Sequence, residues 1–181
     1  MKVLFVAAEC APMAKVGGLA DVVNSLPKTL KKIGIDVSIV LPFYEIISRE
    51  DENLELFQKN VAVTFEGEEK TFDLYKTLLP GSNVPLFLID SKEYFKGKGV
   101  YTSEDASSDG SKGEAKRFFF LSVAGIKIAQ LLKADIIHCH DWHTATMPYL
   151  LKEKGIETAN ILTIHNLAYQ GIYPKEIVND L

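Results

Sequence analysis

Three short stretches hold most of the residues in this chain able to do chemistry. The first is Lys15-Val16-Gly17-Gly18-Leu19. Glycine lets a backbone approach a ligand closely, and a helix that starts there presents free N–H groups and a partial positive charge. A lysine just upstream adds a point charge suited to a diphosphate. The plainer reading is a loop needing positive φ beside an exposed lysine. The segment matches neither GxxxxGK[ST] nor GxGxxG, so an ordinary ATPase or NAD reading loses support. The second stretch is His138-Cys139-His140-Asp141-Trp142-His143. On a strand, His138 and His140 point to one face. Such a cluster invites a metal reading, but Asp141 stands one place early for the HxHxDH pattern of binuclear hydrolases. Asp141 is otherwise an N-cap of the next helix or a residue facing a sugar or nucleotide. The third, His165-Asn166-Leu167-Ala168-Tyr169-Gln170-Gly171, leaves an apolar run. Its neutral side chains suit the hydroxyls of a polyol better than a bare anion. The alternative is a turn in which Asn166 bonds its own backbone.

The elements that must position these stretches follow from hydropathy. Val3 to Ala8 is a short apolar run, the pattern of a strand buried on both faces of a parallel sheet. Val37 to Leu41 reads as a second buried strand, and Val84 to Ile89, Asp135 to Cys139 and Ala159 to Ile164 read as further strands. Leu19, Val22, Val23, Leu26, Leu30 and Ile33 recur at helical spacing, with Gly34 as a stop and a kink or break expected at Pro27. Val61–Phe65 and Thr71–Leu79 read as a strand pair turning around Glu66–Lys70. Residues 97–113, rich in glycine and serine, read as a mobile surface loop. Glu114–Lys133 reads as a largely buried helix, and Trp142–Lys154 as another that Gly155 stops. The alternation predicts an α/β, Rossmann-like three-layer sandwich with a mostly parallel sheet, formed by residues 1–181 as one domain. Ligands of such sheets bind beyond the carboxyl ends of the strands, where all three stretches fall.

Composition narrows the function classes. The chain has 181 residues, 47% of them hydrophobic, with 20 Lys+Arg against 24 Asp+Glu and a net charge of −4. That argues against nonspecific nucleic-acid or anionic-membrane binding, so neither is expected as a partner. Cys10 and Cys139 make no disulfide framework. The apolar run at the N-terminus meets Glu9 too early for a signal peptide. A cytoplasmic location is expected.

The blocks Glu9–Pro27 (ECAPMAKVGGLADVVNSLP), Val37–Tyr44, His138–His143 (HCHDWH) and Thr163–Tyr173 (TIHNLAYQGIY) together resemble the glycogen/starch synthase family. KVGGLADV and HNLAYQG in this order are specific to it. The resemblance implies the N-terminal half of a GT-B glycosyltransferase, retaining, that moves glucose from ADP-glucose to the non-reducing end of an α-1,4-glucan without metal or cofactor. It implies that Lys15, Gly17 and Gly18 meet the donor diphosphate and that Asp21 faces the sugar or acceptor side. It puts Asp141 and His165 at the reaction centre, Asn166 on the glucose and Tyr101 on the adenine side. A second, C-terminal domain is implied to complete the donor site, so residues 1–181 alone are expected to be inactive. Two positions depart from the usual pattern: Glu114 replaces an asparagine before Ala-x-Arg-Phe, and Thr102 a glycine after the loop tyrosine. The competing readings are a non-catalytic module that binds glucan or a partner, and a metal hydrolase built on the histidines.

Overall fold

The computed structural model describes residues 1–95, 99–101 and 108–173. Seven strands form one sheet: β1 (Lys2–Val6), β2 (Asp36–Pro42), β3 (Glu55–Phe65), β4 (Glu68–Leu78), β5 (Pro85–Asp90), β6 (Ile136–His140) and β7 (Ala159–Thr163). The spatial order is β3-β4-β5-β2-β1-β6-β7. From β5 to β7 every neighbouring pair is parallel, whereas β3 and β4 join as an antiparallel hairpin at one edge. The hairpin turns at Glu66-Gly67, both at positive φ (53° and 73°), which matches the right-handed twist of the strands it connects.

Three α-helices connect the strands: α1 (Gly18–Lys32), α2 (Ser108–Leu132) and α3 (Thr146–Glu153), the last preceded by a 3₁₀ turn at Trp142–Thr144. Strand order runs one way from β1 to β2 and the other way from β5 to β6. Right-handed crossovers therefore put α1 and α2 on opposite faces, giving three layers. Val6 of β1 packs within reach of Gly125 on α2 and Met147 on α3. Its neighbour Phe5 points to the other face, against the rings of His138 and His140. The expected α/β sandwich with a mostly parallel sheet is the observed one.

Two expectations need correction. Of the kink or break expected at Pro27 there is no break: helix α1 runs through it as a single element, with that proline buried. The apolar face that α1 packs on the core supplies stability that the missing N–H removes. Helix α2 begins at Ser108, inside the stretch read as loop, so glycine-rich sequence is held helical there. Its anchor is Arg117, which is 1% exposed and donates Nε–H to the Tyr94 carbonyl and Nη2–H to that of Gly99. Residues 96–98 and 102–107 of that stretch lie outside the described residues. Among the described residues no helix is long and apolar enough to cross a membrane.

Candidate functional site

Strand order reverses between β1 and β6, a topological switch point where open α/β sheets form a crevice at the strands' carboxyl ends. Register pairs Val6 with Cys139 and His140 with Thr163, so β1, β6 and β7 end side by side. Their exits are the three chemical stretches, which therefore share one rim.

The β1 exit is knitted into the fold. Cys10 and Ala14 exchange backbone hydrogen bonds at 2.9 Å each, and Ala11 N–H reaches the Ala20 carbonyl at 3.0 Å. Glu9, 3% exposed, accepts the N–H groups of Val16 and Gly17 on Oε2, both at 2.7 Å. Tyr101 donates its hydroxyl to Glu9 Oε1, and burial with this carboxylate drives the phenol pKa upward. The Lys15 ammonium grips both carboxylate oxygens of Asp21 at 2.7 and 2.8 Å, the pair about half exposed. Such a surface pair is worth about 0–1 kcal/mol, so an incoming polyanion can recruit the lysine cheaply.

Gly17 and Gly18 bear on the plainer reading of that loop. Gly17 is extended (φ −130°) and Gly18 opens α1. A Cβ at Gly17 would come no closer than 3.9 Å to Glu9 Oε1, and one at Gly18 would meet nothing within 4 Å. Neither positive φ nor internal crowding calls for glycine at these positions. What the two absent side chains leave is open space over the start of α1, whose N-cap has no side-chain partner.

The β6 exit holds Asp141 at φ 55°, ψ −171°, a region populated almost only by glycine. The strain, about 1–3 kcal/mol by analogy with such outliers, is held in place by bonds on every side. Asp141 N–H donates to the Thr163 carbonyl at 2.8 Å, and its Oδ1 accepts the N–H of His165 at 2.6 Å. Thr144 Oγ1 closes the turn by accepting His140 N–H at 2.6 Å. Asp141 precedes the 3₁₀ turn but its carboxylate makes no cap bond there. It spans to the β7 exit instead.

The chain's four histidines all lie at or near this rim. His138 and His140 stack with centroids 4.2 Å apart, and His140 and His165 at 5.2 Å. His138 Nε2 is hydrogen-bonded to Thr163 Oγ1 at 2.7 Å, and His140 Nδ1 to His165 Nε2 at 2.9 Å. Burial, with His138 and His165 as like-charged neighbours, takes the His140 pKa down to about 2. Burial alone takes His143 to about 3. His140 Nε2 is buried without a partner among the described residues. Among the described residues no three His, Cys, Asp or Glu groups are arranged to hold a metal ion. The thiols of Cys10 and Cys139 are pushed up to about 12 by burial, so neither is a ready nucleophile.

The β7 exit is more exposed. Asn166, an exposed residue, accepts the Ala168 N–H on Oδ1 at 2.9 Å, the self-bonded turn weighed above. Gly171 has φ 61°, and a Cβ there would lie 2.5 Å from the Trp142 ring. This glycine is demanded by the fold. Tyr101 bridges the first two exits: its ring lies 5.3 Å from His143 while its hydroxyl holds Glu9. Sequence reasoning gave no role to Glu9 or Arg117, and read His140 only as a member of a candidate metal cluster. The one available signal was a carboxylate directly ending a buried apolar run, where an unpaired charge is costly. Two cavities, of about 260 Å³ beside Lys28 and Ser82 and about 280 Å³ between α2 and β3, include no residue of the three exits.

Comparison with known proteins bears on this arrangement. A family model described as the starch synthase catalytic domain matches residues 2–181. A glycogen synthase of Geotalea uraniireducens is 42% identical over 188 residues, covering 100% of this chain and 38% of that protein. One from Thermotoga petrophila is 41% identical over 186 residues, covering 97% of this chain and 37% of its own. Among solved structures, the catalytic domain of starch synthase IV from Arabidopsis thaliana, bound to ADP and acarbose, superposes with a TM-score of 0.83 at 30% identity. That match covers 98% of this chain and 36% of the plant one. The chain thus spans well under half the length of these relatives.

Proposed function

Because this chain belongs to the starch synthase catalytic domain family, we propose that it forms the N-terminal, acceptor-side half of a retaining GT-B glucosyltransferase. The reaction moves glucose from ADP-glucose to the non-reducing end of an α-1,4-glucan. A second domain, outside these residues, supplies the remainder of the donor site.

Each residue's share follows from charge. As the diphosphate departs, the sugar becomes oxocarbenium-like, and groups fixed where charge appears do most of the work. Lys15 turns from Asp21 to the diphosphate, with the uncapped start of α1 and the bare backbone of Gly17 and Gly18 beneath it. Asp21, released, lies on the sugar and acceptor side. His165 offers its backbone carbonyl near the anomeric carbon, and Asp141 sits beside the reacting glucose. Asn166 takes a glucose hydroxyl, and Tyr101 flanks the adenine. No cofactor enters this scheme.

One observation carries the reading: three loops rich in ligand-type residues leave three adjacent parallel strands at one rim, cross-linked by Asp141 to His165 and by Tyr101 to Glu9. Glycines that the fold does not itself require, and a strained aspartate, support a ligand as their reason. Calorimetry on the full-length protein with ADP-glucose and with maltooligosaccharides tests it. Binding of both, with glucan elongation, is expected. Glucan binding without nucleotide binding would favour the non-catalytic module instead. The chain of residues 1–181 alone is expected to elongate no glucan.

A further inference from the structure

We propose that Glu9 is a positioning residue that sorts the backbone N–H groups of the Lys15–Gly18 loop, turning two inward so that the next ones face the donor diphosphate. The inference rests on the ADP-glucose reading above and adds to it a residue that touches no substrate. Glu9 leaves β1 directly beneath the loop and is 3% exposed. A carboxylate so buried must be satisfied, and its partners here are neutral donors. Oε2 takes Val16 and Gly17 N–H, both at 2.7 Å, and Oε1 takes the Tyr101 hydroxyl.

Two consecutive N–H bonds to one oxygen fix the peptide planes on both sides of Val16. Helix α1 starts at the next residue, Gly18, and Gly17 brings no capping side chain. The first free N–H groups of the helix therefore begin where the Glu9 clamp ends. Without the clamp, a stretch with two adjacent glycines would sample many conformations, and ordering it on binding would weaken the donor's hold. Charge-assisted bonds are about twice as strong as neutral ones, which suits a carboxylate to restraining glycine. Tyr101 bonds to the other oxygen, so the diphosphate loop and the adenine-side tyrosine are held as one body.

The test uses the full-length enzyme. Glu9→Ala is expected to raise the KM for ADP-glucose about tenfold or more, leaving kcat and the KM for glucan within about threefold. Glu9→Gln keeps the shape with neutral bonds, since its oxygen still accepts from the loop and its amide donates to the tyrosine oxygen; it is expected to restore most of the donor KM. Hydrogen exchange at the Val16 and Gly17 amides reads the clamp directly, slow in the parent and fast in Glu9→Ala. Fast exchange with an unchanged donor KM overturns the positioning role and leaves the glucosyl-transfer reading intact. A parent enzyme that transfers no glucose from ADP-glucose overturns that reading, and this inference with it. Should Glu9→Ala fail to fold, Glu9→Asp, too short to reach both the loop and Tyr101, must raise the donor KM; an unchanged value sinks the proposal.

Discussion

The loops leaving β1 and β7 reach the same rim but are built on opposite plans. The β1 exit is fastened along its length, by Glu9 to its middle, by Cys10 to Ala14 across its neck and by Ala11 to Ala20 on the helix. The β7 exit is fastened at its ends. Asp141 and His140 grip His165, Gly171 lies against Trp142, and Leu167 and Tyr169 between them are each 72% exposed. The first loop is finished by its own domain. The second offers a bare middle to whatever faces it. On the reading proposed above, preorganisation falls on the loop assigned to the diphosphate and openness on the loop assigned to the sugar.

Substitutions can break this contrast, and the largest effect is expected on the finished loop. In the full-length enzyme Lys15→Ala should lower turnover with ADP-glucose about 100-fold, the scale of removing one preorganised charge partner. Steady-state kinetics check it, and an unaffected enzyme would remove the lysine from the diphosphate site. Next, Gly171→Ala should cost about 1–3 kcal/mol of local stability, because it forces a Cβ into Trp142 at a positive φ. Trp142 is the only tryptophan, so a shifted emission maximum and an earlier first phase in denaturant would report the loop's release.

A third expectation loads the anchor between the loops. His140 and His143 have folded pKa values of about 2 and about 3 against 6.5 when free. Each stays neutral in the fold and takes up a proton on unfolding. Their stabilisation is therefore full above about pH 6.5 and falls as pH drops toward those folded values, by up to about 1.4 kcal/mol per pH unit for each. Denaturant titrations between about pH 7 and about pH 5 should show that slope, and a flat profile would contradict the burial of the imidazoles. Smallest is Gly18→Ala, which should raise stability by up to about 0.5–1 kcal/mol as a helix residue while raising the donor KM. A stability loss there would show that the fold needs that glycine after all.

The order of strands and helices could be read from hydropathy because the parallel strands β1, β2, β5 and β6 are mostly buried and so carry apolar runs, whereas β7 carries such a run while lying exposed. The three stretches proposed as the site could be singled out because their polar and glycine-rich residues leave the carboxyl ends of parallel strands, where such sheets bind ligands. The start of α2 was not legible, since Gly110 and Gly113 are poor helix formers and the anchor that holds the helix, Arg117, acts through distant carbonyls of Tyr94 and Gly99. Pro27 misled for the same reason, as tertiary packing outweighed a local penalty. The Tyr101 bond to Glu9 and the His140–His165 pair join residues 92 and 25 positions apart, which no local spacing encodes. The Glu9 bonds to Val16 and Gly17, seven and eight residues on, depend on how the loop turns back over the strand end.

Strand β7 carries a consequence of its own. Among the described residues it pairs only with β6, and Ile161 and Leu162 along it and Ile164 just beyond it are 49%, 40% and 57% exposed. A bare, oily strand margin is a template for another chain. Preparations of residues 1–181 should therefore self-associate as concentration rises, and a charged substitution such as Ile161→Lys should keep them dispersed.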